Sequence, residues 1–102
     1  VAGVANKQIY VCGFAISIAG SASSAATAQF ETGTGAACVT TQVVLTGTFG
    51  SNDAAVSTVP TVINYGGANQ TVMSASAAGN PICIVTAGTS VFVQGVLTYV
   101  QQ

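Results

Sequence analysis

From Val91 to Val100 the chain alternates between two sets of side chains: Val91, Val93, Leu97 and Tyr99 fall on one side with Gly95, and Phe92, Val96 and Val100 fall on the other with Gln94 and Thr98. A period of two is the signature of a β-strand. Both sides of this strand are largely apolar, so it is expected either to be buried on both faces or to pack one face on the core and the other on a neighbouring subunit. Phe92, Gln94, Val96, Thr98 and Val100 form the face expected to meet that neighbour. The remaining strands are expected to be laid beside and opposite this one.

The same alternation recurs upstream. A first strand is expected over about Lys7 to Ile18, with Tyr10, Cys12, Phe14, Ile16 and Ile18 on its apolar face and Gly13 marking a bulge or a close approach. A second, about Ala25 to Glu31, points Ala26, Ala28 and Phe30 inward and Thr27, Gln29 and Glu31 outward. A third spans Cys38 to Thr46, and shorter ones follow over Val59 to Ile63, Gln70 to Ser76 and Ile82 to Thr86. Gly, Ser, Asn and Pro clusters punctuate them. The longest polar connection, Gly47 to Asp53, reads as an exposed loop that Phe49 anchors to the body.

No stretch shows helical periodicity. The pattern predicts an all-β chain, an antiparallel β-sandwich of about seven strands, or eight if the 47–58 region holds another, in a jelly-roll-like arrangement. With 102 residues there is room for a single domain spanning 1–102, with 1–6 as an N-terminal arm.

Composition sharpens the picture, because only 3% of residues are charged and half are apolar. Lys7, Glu31 and Asp53 are the only charged side chains, with no Arg or His. One lysine cannot displace counterions from a phosphate backbone, so nucleic acid is excluded as a partner. The apolar window from Ile82 to Val100 has the length of a membrane span, but its Gly, Ser, Thr and Gln content and β-branched residues read as two strands and a turn. No membrane partner is expected. Lys7, the apolar run Ile9 to Ala19 and Ser21-Ala22-Ser23 imitate a secretory leader, yet the alternation inside the run is that of a strand. The chain opens on Val1 rather than Met, so an initiator or a longer leader can precede it.

Candidate chemistry is sparse. Acid–base catalysis needs groups that titrate near neutrality, and Glu31 and Asp53 without a histidine do not supply them. A hydroxyl activated by Lys7 is the only formal alternative. Gly33-Thr34-Gly35 begins like a dinucleotide-binding turn, but Cys38 stands where the third glycine belongs and no helix follows. Asn69-Gln70-Thr71 matches a glycosylation acceptor in a threonine-rich chain. No catalytic residue, cofactor or metal ligand is expected: the three cysteines lack zinc-site spacing. Cys12 is expected to be a buried thiol. Cys38 and Cys83, each beside a glycine-containing turn, are disulfide candidates, the other reading being three plain buried thiols.

Several stretches together resemble small β-domains in virion proteins of tailed bacteriophages. They are Lys7-Gln8-Ile9-Tyr10-Val11-Cys12-Gly13-Phe14, Phe30-Glu31-Thr32-Gly33-Thr34-Gly35 with Cys38 after it, Ala78-Gly79-Asn80-Pro81-Ile82-Cys83, and Val93-Gln94-Gly95-Val96-Leu97-Thr98-Tyr99. The likeness covers most of the chain and is weakest between about 47 and 70. It implies a jelly-roll-like, non-enzymatic structural protein of the virion. The expected form is a capsid decoration protein that binds the major capsid protein or another virion protein and forms a homo-oligomer, a trimer above all. It also favours Cys38 with Cys83 as a pair. A tail-fibre or neck subunit is a close variant. A cellular pilin or adhesin subunit assembling by strand donation is the reading from another class, and a monomer with an uncharged, hydroxyl-rich surface is the plain alternative.

Overall fold

The computed structural model describes residues 1–20, 25–51, 60–66 and 74–102. Eight strands lie among them: β1 (Ile9–Ala19), β2 (Ala26–Thr34), β3 (Thr40–Val44), β4 (Phe49–Ser51), β5 (Thr61–Tyr65), β6 (Ser74–Ala75), β7 (Ile82–Ala87) and β8 (Phe92–Gln101), with a short 3-10 turn over Ala36–Cys38. All pairings are antiparallel, and they form two four-stranded sheets packed as a sandwich. The expected β-sandwich is the fold. The additional strand in the 47–58 region exists as β4, while Asp53 and Asn69-Gln70-Thr71 lie outside the described residues.

Each sheet has the same plan. In sheet A the long strand β1 is central: β8 pairs with it from Ile9 to Ala19, and β5 and β6 share its other edge, β5 beside Phe14 to Ile18 and β6 beside Tyr10 and Val11. In sheet B the central strand is β2, with β7 along one edge and β3 and β4 sharing the other. The nested pairs β1 with β8 and β2 with β7 are the jelly-roll trait, whereas the inner strands fill the opposite edges in pieces. The organising strands are therefore β1 and β2, and the sequence-based choice of the last strand as the centre is corrected: β8 is an edge strand. β1 and β2 earn their positions by presenting the most continuous inward apolar rows.

The core is built where these rows face each other. Ile9, Val11, Phe14, Ile16 and Ile18 from β1 meet Ala26, Ala28 and Phe30 from β2 and Ile82 from β7, all buried. Phe14 is at its centre, with the rings of Phe30, Phe49 and Tyr65 at 4.8, 5.5 and 5.7 Å. Phe49 does anchor its segment, through that contact. Small residues in β2 let the sheets approach, and large ones in β1 fill the space between them.

Two expectations about faces change. The register of β1 against β8 shifts between Val11 and Gly13, leaving Cys12 as the extra residue of a bulge. Upstream of the bulge the parity reverses, so Ile9 and Val11 point inward in place of Tyr10 and Cys12. Cys12 is thus a partly exposed free thiol rather than a buried one. Gly13 fits the site because a Cβ there would lie 2.8 Å from the Tyr65 carbonyl oxygen.

The second change concerns β2, which continues through Thr34, so the turn comes at Gly35 rather than at Thr32. Cys38 lies in the 3-10 turn ahead of β3, and β3 itself is exposed along its whole length. Glu31, expected outside, is only 5% exposed. Its cross-strand neighbours are Val44 and Cys83, and the disulfide partner Cys38 sits over the same end of the sheet.

Candidate interaction surface

Because side chains alternate across a strand, the residues of β1 that do not face the core line up with those of its neighbours on the outer face of sheet A. The register gives the rows directly: Ala19 beside Phe92; Val62, Ser17 and Gln94; Asn64, Ala15 and Val96; Gly13 beside Thr98; and Tyr10 beside Val100. No charged residue occurs in any row. Phe92, Val62 and Val96 are 64, 65 and 66% exposed, and Val100 is half exposed. Gln94 and Thr98 are exposed between them.

The five residues Phe92, Gln94, Val96, Thr98 and Val100 therefore stand together on one solvent-facing surface. The alternative of a strand buried on both faces does not hold for β8: its inner side chains Val93 and Leu97 pack on the core, and its outer ones are uncovered in the single chain. A depression of about 580 Å³ lies in this face beside the bulge, bounded by Cys12, Asn64, Tyr65, Val96 and Thr98. Sequence reasoning did not place Val62 here. Only the β1–β5 register brings it level with Ser17, and nothing in the local pattern of residues 59–63 reports that neighbour.

Exposed aliphatic side chains cluster a second time around β3, where Val39, Val43 and Val44 are all more than half exposed. Their alternation was legible, but a strand pairing only at the end of β2 has no core beneath it to bury one of its faces.

Polar groups are few and are used structurally. The Ile9 amide donates to the buried Ser76 Oγ at 3.1 Å, and the Phe30 amide to the half-buried Thr46 Oγ1 at 3.0 Å, so side-chain hydroxyls satisfy backbone donors of both central strands. Thr48 donates to Gln29 Oε1, whose amide nitrogen in turn donates to Glu31 Oε1. Glu31 Oε2 has no partner among the described residues. The described bonds of Lys7 are made by its backbone, to Val4 and Gly79.

Cys38 and Cys83 are joined as a disulfide across 45 residues of chain. No group of three or more His, Cys, Asp or Glu that could hold a metal ion occurs among the described residues, and no helix among them is long and apolar enough to cross a membrane.

No protein-family model, curated protein or solved structure matches this chain.

Proposed function

We propose that this chain is a non-enzymatic structural subunit whose work is done by the outer face of sheet A, packed against a neighbouring subunit. The observation that carries this reading is the row structure of that face: exposed Phe92, Val96, Val62 and Val100 interspersed with Gln94, Thr98 and Ser17, with no charge among them. Large uncharged apolar patches mark interaction sites, and permanent interfaces resemble a core cut in half. The resemblance to tailed-phage virion domains supports a particular setting, a capsid decoration protein that contacts the major capsid protein and its own copies. A tail-fibre or neck subunit uses the same surface.

Light scattering coupled to size exclusion tests this, with a discrete closed oligomer, a trimer above all, as the expected result. Val96→Asp places a charge in the middle of the face and is expected to dissociate it while leaving the fold intact. Binding of the intact protein, and not of Val96→Asp, to empty capsids then tests the virion setting. A strict monomer at high concentration overturns the assembly reading.

A pilin or adhesin subunit is the second reading, favoured by the open edge of β7. Donation of the N-terminal arm does not favour it, because Val1 is bonded to Ile82, Gln8 to Gln102 and Lys7 to Gly79 within the same chain. Length-polydisperse fibres in the same experiment would select this reading.

A further inference from the structure

Glu31 is the one charged side chain buried among the described residues, and its carboxylate is half satisfied. Oε1 accepts from the Gln29 amide group, whereas Oε2 has no partner among those residues. A buried acceptor left empty costs free energy, so the groups beside it matter. Cys83 is its cross-strand neighbour on β7, and side chains opposite each other share a face with Cβ atoms about 5 Å apart. Cys38, in the 3-10 turn over the same end of sheet B, is fully buried and joined to Cys83.

The sulfur of Cys38 is likewise set among acceptors. It lies 3.6 Å from the Pro81 carbonyl oxygen and 3.9 Å from that of Glu31. A disulfide sulfur carries no hydrogen and can donate to neither, but a thiol has one S–H to give. The surroundings of the two sulfurs therefore hold acceptors that only the reduced form can use: backbone carbonyls for Cys38, and the empty carboxylate oxygen of Glu31 for Cys83. Sheet B does not need the crosslink to close, since β2 and β7 pair continuously from Thr27 to Thr32.

We infer that Cys38 and Cys83 are a reversible dithiol–disulfide pair: the reduced chain keeps the fold, and its Cys83 thiol donates to Glu31 Oε2. Oxidation then locks a sandwich that is already folded and leaves that oxygen without a partner. Exchange with a thiol reductant begins at Cys83, the half-buried member of the pair. The reductant's thiolate attacks the Cys83 sulfur, the S–S bond breaks, and Cys38 leaves as a thiolate that takes up a proton. A second reductant thiolate displaces Cys83 from the mixed disulfide. Two electrons pass, two S–H groups form, and the reductant is left as its own disulfide. This inference is independent of what the outer face of sheet A binds.

The test uses the full chain with Cys12→Ser, which removes the third thiol, equilibrated in glutathione buffers, quenched in acid, alkylated and read by mass spectrometry. In that background Glu31→Gln removes the charged acceptor and keeps its size. It deprives the dithiol of its hydrogen bond and relieves the disulfide of a buried unpaired charge, so the equilibrium constant for disulfide formation is expected to rise about fivefold. Ile18→Val, which loosens the core at the far end of β1, is expected to leave that constant unchanged. A second measurement is the infrared spectrum of the reduced protein: one of its two S–H stretching bands is expected to move to higher frequency in Glu31→Gln. The inference is overturned if Glu31→Gln leaves the constant unchanged, if neither S–H band moves, or if the reduced protein loses the dispersed amide NMR spectrum of a folded chain.

Discussion

At the scale of single residues, the packing concentrates on Phe14, whose ring touches aromatic partners from β2, β4 and β5. Replacing it with alanine removes those contacts and leaves a cavity between the sheets. Phe14→Ala is expected to cost about 3–5 kcal/mol, read as a fall in the urea midpoint with an unchanged slope. Gly95 is a second such point. It lies in β8 opposite Ile16 with φ +156°, and a Cβ there would stand 2.0 Å from the Ala15 carbonyl oxygen. Gly95→Ala should therefore destabilise by roughly 1–3 kcal/mol in the same measurement, by forcing β8 away from β1. Glu31 works in the opposite direction. A buried carboxylate with one oxygen unpartnered among the described residues costs stability, and Glu31→Gln keeps the size while removing the charge. The substitution is expected to raise unfolding free energy at neutral pH by about 1–3 kcal/mol.

At the scale of elements, the disulfide ties the turn after β2 to the start of β7, and so fixes one end of sheet B. A crosslink closing 45 residues restricts the unfolded chain by an amount worth about 4 kcal/mol in the chain-entropy account. Paired denaturation curves with and without reductant are expected to differ by about that much. Most strands were legible because apolar and polar residues alternate so regularly, and the inward set Ala26, Ala28, Phe30 of β2 was read correctly. Phe49–Ser51, expected in an exposed loop, is the strand β4, since its Phe-Gly-Ser is too short to show alternation. What local pattern could not carry was rank. β8 is apolar on both of its faces, yet it is peripheral, because a central position depends on pairing along both edges and the alternation of side chains records only faces. The bulge at Cys12 was foreshadowed by Gly13, but its consequence, the reversal that brings Val11 in and turns Cys12 out, depends on the register with β8. Of the candidate surface, the β8 half followed from periodicity alone, while the contribution of Val62 comes from a strand distant in sequence.

At the scale of the whole molecule, an interface formed without ion pairs has an ionic-strength signature. Screening has little to act on, so the association constant of the sheet A face should stay nearly constant between low and moderate sodium chloride and strengthen in sulfate. Sedimentation equilibrium across a salt series checks this; steep weakening by sodium chloride would mean that charged groups outside the face carry the contact. The arrangement of edges has a further consequence. In each sheet one edge is a single uninterrupted strand, while the other is shared between two short strands placed end to end. Short, interrupted edges are poor templates for another strand. Among the described residues the sandwich therefore has two unlike flanks, one of continuous strands and one of interrupted strands that acts as a stop. A molecule built this way does not offer the two matching flanks that an indefinitely growing sheet requires.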